Sequence, residues 1–212
     1  MNGFVDGKDG QGLLQREFQY DDDITEAISL LTSKYSYTPA ACPNIESFAL
    51  YKAMNLEGVI ATYQSGSAEP PLCIYLVSYS KSQGTFYIIR NYRQVFLGLL
   101  LLQREYPRTC ILKETLQTRI NDWFVKEDVD FDNQKKFSKQ FHVVSNDKAS
   151  LELLLKDKPL DLLADFPEME AELFGKRCLL KISNDPGSAY DVERLLELSN
   201  KVYHVLSGSG TV

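Results

Sequence analysis

Histidine is scarce in this chain: His142 and His204 are the only two among 212 residues. Neither stands at ligand spacing from a cysteine or from the other histidine, so a histidine-containing zinc site is not indicated. No Gly-x-Ser-x-Gly elbow or other recognisable nucleophile accompanies His142, and His204 falls on the polar side of a predicted helix. The sequence therefore predicts a surface position for His204 and no catalytic residue.

Cysteines are also few, and they are widely spaced at positions Cys42, Cys73, Cys110 and Cys178. Without a Cys-x-x-Cys pair, zinc ribbons and thioredoxin-type redox motifs are excluded. Cys73 and Cys178 stand in apolar runs, where a reduced cysteine behaves as a small hydrophobic residue. There is no N-glycosylation sequon, and the polar N-terminus does not resemble a signal peptide. We therefore expect a cytoplasmic protein without disulfides.

Long apolar runs and basic clusters are missing as well. The longest apolar run, 95–102, is interrupted only by Gly98 and is far shorter than the about 20 residues that a membrane-spanning helix needs. A buried strand or part of a core helix explains it better. The formal net charge is −6, and the densest basic group, Lys135, Lys136 and Lys139, lies among acidic residues. We predict an exposed mixed-charge loop there, with no transmembrane segment and no nucleic-acid partner.

Motifs for metals and phosphates are incomplete or absent. Asp128, Asp130 and Asp132 have the 1-3-5 spacing that opens a calcium loop. Asn133 stands where that loop needs glycine, however, and Lys139 stands where it needs a bidentate glutamate. Acids on the exposed side of an extended segment, with the apolar residues between them turned inward, explain the pattern. The N-terminal glycines match neither Rossmann nor P-loop spacing, so we predict no metal and no cofactor.

The composition that is present, with 44% apolar and 25% charged residues, is typical of a globular protein with a substantial core. The acids at 21–23 precede apolar residues at helical spacing, which predicts a helix that begins there. The spacing of Val77 and Ile88 suits an antiparallel hairpin through 81–84, and 114–124 is predicted to be helical. The segments with strand character in this region are 56–63, 72–79, 85–90, 94–102 and 109–112.

The last third of the chain mixes strands and helices. Its predicted elements are a strand at 141–144, a helix from 145–147 to 155, a short helix from 159 to 165, strands at 169–174 and 177–182 joined at Gly175, and a helix over 189–206. A strong turn at 184–187 would return the final helix across the two paired strands. We predict that the apolar face of this helix seals the core; it comprises Val192, Leu195, Leu196, Val202, Tyr203 and Leu206.

These elements predict the α+β class: a single compact domain over 13–206, with a mostly antiparallel sheet and a C-terminal β-α-α-β-β-α unit. A division of this domain into sub-lobes 13–133 and 134–206 is compatible with the pattern. The Gly-rich stretch 1–12 and the Ser-Gly-rich stretch 207–212 are predicted to be flexible tails.

Aromatic side chains are plentiful, with 12 Tyr and 11 Phe residues. Tyr75 and Tyr79 share one face of a predicted strand, and Tyr87 and Tyr92 are close to them in sequence. These four tyrosines are the candidate groove for a ligand or a protein partner. Packing of the same side chains beneath a helix is the alternative.

Three stretches form a wider pattern. They read Leu56-Glu57-Gly58, Asp130-Phe131-Asp132 followed by Phe137-Ser138-Lys139-Gln140-Phe141, and Glu172-Leu173-Phe174-Gly175 followed by Leu179-Leu180. In these residues the chain resembles a widespread group of uncharacterised bacterial proteins that are often tethered to the membrane. The resemblance implies the shared β-rich and β-α-α-β-β-α fold but transfers no catalytic residue. It also implies either a soluble relative or an excised piece whose membrane association would come through a missing segment.

We predict a non-catalytic interaction or regulatory module with a protein partner, because motifs for nucleophiles, metals and nucleotides are all missing. The alternative is an enzyme or small-molecule binder that uses spatially assembled Asp and Glu side chains and the tyrosine-rich strand face. An enclosed pocket with two or more carboxyl groups of raised pKa would favour the alternative. A shallow exposed apolar patch would favour the interaction module.

Overall fold

The computed structural model describes residues 22–54, 56–66, 70–83, 89–113, 127–131, 133–182 and 187–207, of which 80–83, 89–92 and 127 are described by their backbone. The helices are α1 (Asp22–Ser33), α2 (Ala49–Ala53), α3 (Lys135–Gln140), α4 (Lys148–Leu155), a 3₁₀ helix (Leu160–Asp165) and α5 (Ala189–Ser207). The strands are β1 (Tyr37–Pro39), β2 (Leu56–Ser65), β3 (Leu72–Gln83), β4 (Ile89–Lys113), β5 (Glu127–Asp128), β6 (Phe141–Ser145) and β7 (Glu170–Lys181).

The seven strands form one sheet in the order β1-β2-β3-β4-β6-β5, and β7 also pairs with β4. Strand β4 is the centre of the sheet because its 25 residues are long enough to pair with three other strands. One edge of β4 pairs first with β3 and further along with β6, whereas the other edge pairs with β7 from Gly98 to Ile111. All of the described pairings are antiparallel, so the predicted α+β class with an antiparallel sheet is confirmed.

Strands β4 and β7 bend together. Their register shifts twice between Leu101 and Thr109 of β4, opposite Gly175 of β7. Gly175 has a φ of 60°, a left-handed conformation that glycine adopts without steric cost and that occurs in β-bulges. The bend brings the two ends of β7 together, so that Lys181 Nζ lies 2.7 Å from Glu170 Oε2.

The predicted hairpin between strands 169–174 and 177–182 is therefore wrong. Strand β7 is continuous, and both of its halves pair with β4 instead of with each other. A left-handed glycine is needed in tight turns and in bulges alike, so Gly175 alone does not distinguish the two. The partner strand decides between them, and it lies far away in the sequence.

Two predictions in the middle region also need correction. The described parts of 85–90, 94–102 and 109–112 belong to the single strand β4, since successive parts of β4 pair with different strands. Strands β3 and β4 pair antiparallel as predicted, with Val77 opposite Val95, and Ile88 lies outside the described residues. Strand β3 continues through Gln83, so residues 81–83 of the predicted turn belong to the strand.

The three lysines Lys135, Lys136 and Lys139 lie on helix α3 and not in a loop. The helix forms because Phe137 packs between the rings of Phe131 and Phe141, with centroid distances of 5.9 and 5.1 Å. The lysines remain exposed around this buried ring. The predicted exposure is correct, and the predicted loop is wrong.

Other predicted elements are confirmed. Helix α1, strands β2 and β6, and the short helix after Pro159 form where the sequence indicates them. Asp147 caps α4, because its carboxylate accepts a hydrogen bond from the Ser150 backbone N–H at 3.0 Å. Ser207 ends the last helix and does not belong to the predicted tail 207–212. The described residues do not include the predicted tail at 1–12, the remaining residues 208–212, the predicted helix at 114–124 or the turn residues 184–186.

The sheet has a core on each face, because successive side chains of β3 and β4 point to opposite sides. The larger core includes Leu72 and Ile74 and is covered by α1, α4 and α5. The smaller core includes Cys73 and Tyr75 and is covered by residues 42–54, which contain α2. The predicted apolar face of α5 is buried in the larger core at every position: Val192, Leu195, Leu196, Val202, Tyr203 and Leu206. No described helix combines the length and apolar character needed to cross a membrane.

Candidate functional site

The structure describes the side chains of two of the four candidate groove tyrosines. Tyr75 is 2% exposed and lies in the smaller core, where its hydroxyl donates a hydrogen bond to the Pro43 carbonyl oxygen at 2.6 Å. Burial raises the pKa of Tyr75 above its ordinary value. Tyr79 is half-buried against the same core, whereas Tyr87 and the side chain of Tyr92 lie outside the described residues. The described part of the groove is thus packed as core, and the groove itself stays a prediction.

One of the two histidines contacts the aspartate series, and the other lies on the last helix. His204 is exposed on α5, as predicted, and His142 Nδ1 lies 3.2 Å from Asp128 Oδ1. Asp128 and Asp130 are exposed while Val129 and Phe131 are buried, which confirms the predicted alternation; Asp132 is not among the described residues. Within the described ranges, no group of three or more His, Cys, Asp or Glu side chains could hold a metal ion.

A different set of residues meets at the bend of β4 and β7. We call it the arginine–aromatic cluster, and it consists of Phe48, Arg108, Glu172, Phe174 and Arg177. Phe48 comes from the segment directly before α2, Arg108 from the bend of β4, and the other three residues from β7 around Gly175. The bend is what brings the cluster together, because Phe174 and Arg177 flank the left-handed glycine.

The two aromatic rings of the cluster hold both guanidinium groups. Phe48 and Phe174 pack edge to face, with 6.3 Å between ring centroids. The guanidinium carbon of Arg108 lies 5.0 Å from the Phe174 centroid, and that of Arg177 lies 5.7 Å from it. Arg177 also lies 5.2 Å from the centroid of Phe48. These distances are within the range of cation–π attraction, so the rings fix the positions of the two cations.

Glu172 neutralises one of the two cations. Its side chain is fully buried, and its carboxylate accepts hydrogen bonds from Arg108 Nε at 2.9 Å and from the Leu50 backbone N–H at 2.7 Å. Arg108 Nη2 in turn donates to the Ser47 carbonyl oxygen at 2.6 Å. A buried carboxylate needs such partners, because its transfer from water is otherwise costly. Arg108 and Glu172 together therefore connect the bend to the segment that leads into α2.

The second cation, Arg177, has no such counter-charge. It is half-buried, donates one hydrogen bond from Nη1 to the Asn44 carbonyl oxygen at 3.3 Å, and makes no ion pair with a described carboxylate. A guanidinium carries five N–H donors in a planar fork that matches the geometry of a carboxylate or a phosphate. The cluster can therefore bind an anionic group at Arg177, beside the partly exposed ring of Phe174.

Local sequence patterns do not predict this cluster. Its members lie far apart in the sequence, from Phe48 to Arg177, and no local pattern reveals the bend that brings them together. The one available signal is the run Phe174-Gly175-Lys176-Arg177, in which an aromatic residue and two cations surround a glycine. The same run is also typical of an ordinary turn between strands, which is the structure that the sequence predicts there.

No protein-family model, curated protein or solved structure matches this chain. The resemblance to a group of bacterial proteins consequently stays a prediction.

Proposed function

We propose that this protein is a non-catalytic interaction module and that its arginine–aromatic cluster binds an acidic segment of a protein partner. The observation that carries the proposal is Arg177, a positioned guanidinium on two aromatic rings without a described carboxylate partner. The ligand chemistry is a carboxylate or a phosphate group, because either can accept two parallel hydrogen bonds from the guanidinium fork.

The residue types of the cluster support a protein partner. Arginine and aromatic side chains are enriched at protein interfaces, and they often supply most of the binding energy. Phe174 is one of the few large apolar side chains that are exposed in the described part of the chain. An anion bound at Arg177 would place the neighbouring part of its chain against this ring, which adds apolar contact to the charge-assisted hydrogen bonds.

The enzyme alternative receives less support from the described residues. It requires carboxyl groups of raised pKa that face one another, whereas the described carboxyl groups with a displaced pKa have it displaced downward. Hydrogen bonds from Ser150 lower the pKa of Asp147, and a hydrogen bond from Lys34 lowers the pKa of Glu193. Both groups are thus stabilised as anions, and neither is adapted to hold a proton for catalysis at neutral pH.

The proposal can be tested by titrating the full chain with two peptides of the same length, one rich in glutamate and one with a central phosphoserine. The readout is the shift of the arginine Nε–H resonances in NMR spectra, which yields a Kd for each peptide. Arg177→Gln should weaken binding about tenfold or more, since hydrogen bonds to charged groups contribute about 1.5–3 kcal/mol.

The matched control is Lys176→Gln, which removes the neighbouring exposed cation but no part of the cluster. It should change either Kd about twofold at most, because surface charges in water contribute little. Comparison of the two peptides separates a carboxylate site from a phosphate site. The proposal would be refuted if Arg177→Gln and Lys176→Gln weakened peptide binding equally, or if neither peptide showed saturable binding.

A further inference from the structure

Two of the four cysteines are neighbours in space although the sequence separates them. Cys42 lies in the segment that covers the smaller core, and its thiol donates a hydrogen bond to the Tyr63 carbonyl oxygen at 3.7 Å. Cys73 lies on β3 opposite Gln64, next to the pair formed by Tyr63 and Ile74. Cys42 packs against the smaller core that contains Cys73, and the nearby Cys42 thiol adds to the burial that raises the pKa of Cys73.

The same segment is held against β3 at the next residue along the chain. Pro43 accepts the hydrogen bond from the hydroxyl of Tyr75, which is two residues beyond Cys73 on the same face of β3. Cys42 and Cys73 therefore face each other across a fixed contact between the segment and the strand. Neither cysteine forms a disulfide, and both side chains pack in the smaller core.

The other two cysteines cannot replace this pair. Cys110 lies in the smaller core and Cys178 in the larger one, so their side chains are on opposite faces of the sheet. Both are fully buried, whereas Cys42 is partly exposed. Because oxidation of a thiol requires access of the oxidant, Cys42 is the cysteine that meets it first.

We propose that Cys42 and Cys73 form a redox pair that a hydroperoxide converts into a reversible disulfide. In the first step the Cys42 sulfur attacks one peroxide oxygen. An S–O bond forms as the O–O bond breaks, the departing oxygen takes up the Cys42 thiol proton, and the products are a sulfenic acid and water or an alcohol. In the second step the Cys73 sulfur displaces the hydroxyl group of the sulfenic acid. An S–S bond forms as the S–O bond breaks, and the Cys73 proton leaves in the released water.

The disulfide would fix residues 42–54 to β3 at their first residue. This segment covers the smaller core and also supplies Phe48, Ser47 and Leu50 to the contacts at the bend. Oxidation would therefore stabilise the segment without a new contact elsewhere. The inference does not depend on the proposed function, because it uses neither Arg177 nor an anionic partner.

The experiment treats the reduced, full-length chain with hydrogen peroxide under native conditions. Free thiols are then blocked with a maleimide, and the product is analysed by intact mass and by a non-reducing peptide map. We expect a mass lower by two hydrogen atoms, two thiols that do not react with the maleimide even after unfolding, and a Cys42–Cys73 linked peptide. Dithiothreitol should restore all four thiols. The oxidised chain should melt about 5–15 °C higher than the reduced chain, as expected for closure of a loop of about 30 residues.

Variants separate the two steps. In Cys42→Ser, hydrogen peroxide should leave Cys73 unmodified, because the buried thiol lacks the partner that meets the oxidant. In Cys73→Ala, Cys42 should accumulate as a sulfenic acid that dimedone traps. Cys110→Ala is the matched control and should form the Cys42–Cys73 link in the same yield as the native chain.

Several results would overturn the inference. One is a native chain in which Cys42 proceeds to the sulfinic acid without a link to Cys73. Another is a link that appears only after unfolding in denaturant, or one that joins a different pair of cysteines. Because Cys42→Ser changes a partly exposed residue, it tests the inference even if Cys73→Ala does not fold.

Discussion

Glu172 is the only carboxylate of the arginine–aromatic cluster, and both of its oxygens accept hydrogen bonds. Glu172→Ala should lower the free energy of unfolding by about 3–5 kcal/mol, because it breaks a buried ion pair and leaves Arg108 without its counter-charge. About 1–3 kcal/mol of this loss comes from the Leu50 backbone N–H, which loses its acceptor in the interior.

Glu172→Gln should cost less, about 1–2 kcal/mol. The amide has the same shape and can still accept the Leu50 hydrogen bond, but it loses the charge that strengthens the bond to Arg108. Arg108 is 26% exposed, so water can partly replace the lost charge of Glu172 as its partner. Arg108→Met should be more costly than Glu172→Gln, since it leaves the fully buried carboxylate without its cation. Adding Glu172→Gln to Arg108→Met should then recover part of the lost stability.

Equilibrium unfolding in urea at pH 7 measures these differences from midpoints and slopes. The control is Glu105→Ala, which removes an exposed carboxylate on the same bend of β4 and should change stability by about 0.5 kcal/mol at most. A loss below about 1 kcal/mol for Glu172→Ala would show that the cluster does not hold the segment before α2. A double variant as unstable as the sum of both single variants would show that Arg108 and Glu172 are not coupled.

Three further predictions concern the helix, the bend and pH. Leu196→Ala should lower the free energy of unfolding by about 2–5 kcal/mol because Leu196 is buried, and an unchanged melt of Leu196→Asp would show that this face of α5 is free. Gly175→Ala should cost about 1–2 kcal/mol in urea unfolding. A Cβ at Gly175 meets nothing within 4 Å, so this cost comes from the left-handed backbone alone. Gly175→Asn should cost less, because asparagine adopts this conformation more readily than alanine. Burial raises the pKa values of Cys73 and Tyr37 to about 12, from 9.0 and 10.0. The stability that their neutral forms contribute is complete below pH 9 and is lost as the pH rises toward 12. The urea midpoint should therefore be lower at pH 11 than at pH 9. Equal urea midpoints at these two pH values would contradict this assignment.

Much of the fold follows from local patterns. The sequence predicts helix α5 within a residue of its ends and six residues of its buried face, because a period of 3.6 is visible within one segment. Leu198, Ser199 and Val205 are buried as well and are not among the predicted residues. The cap of α4 at Asp147 and the short helix after Pro159 depend on neighbours within a few positions. All of these features depend on residues that are close together in the chain, so a single sequence is enough to predict them.

The bend and the cluster could not be predicted in the same way. Whether Gly175 makes a turn or a bulge depends on the pairing of β7 with β4, and nothing near Gly175 reveals that pairing. Phe48 and Arg177 meet only because the bend and the segment before α2 arrive at the same place. The contact between Cys42 and Cys73 has the same origin, since the covering segment crosses β3 only in the folded chain.

The central position of β4 has a consequence for how the chain folds. Gly98 pairs with Leu180 and Ile111 pairs with Ala171, so one edge of the longest strand finds its partner only in the last third of the chain. Pairing over such sequence separations requires closure of a long loop before any contact compensates for it, which slows folding. During synthesis the apolar run 95–102 therefore leaves the ribosome well before β7, with one edge still unpaired. Until β7 arrives, this unpaired edge of β4 is open to pairing with another chain.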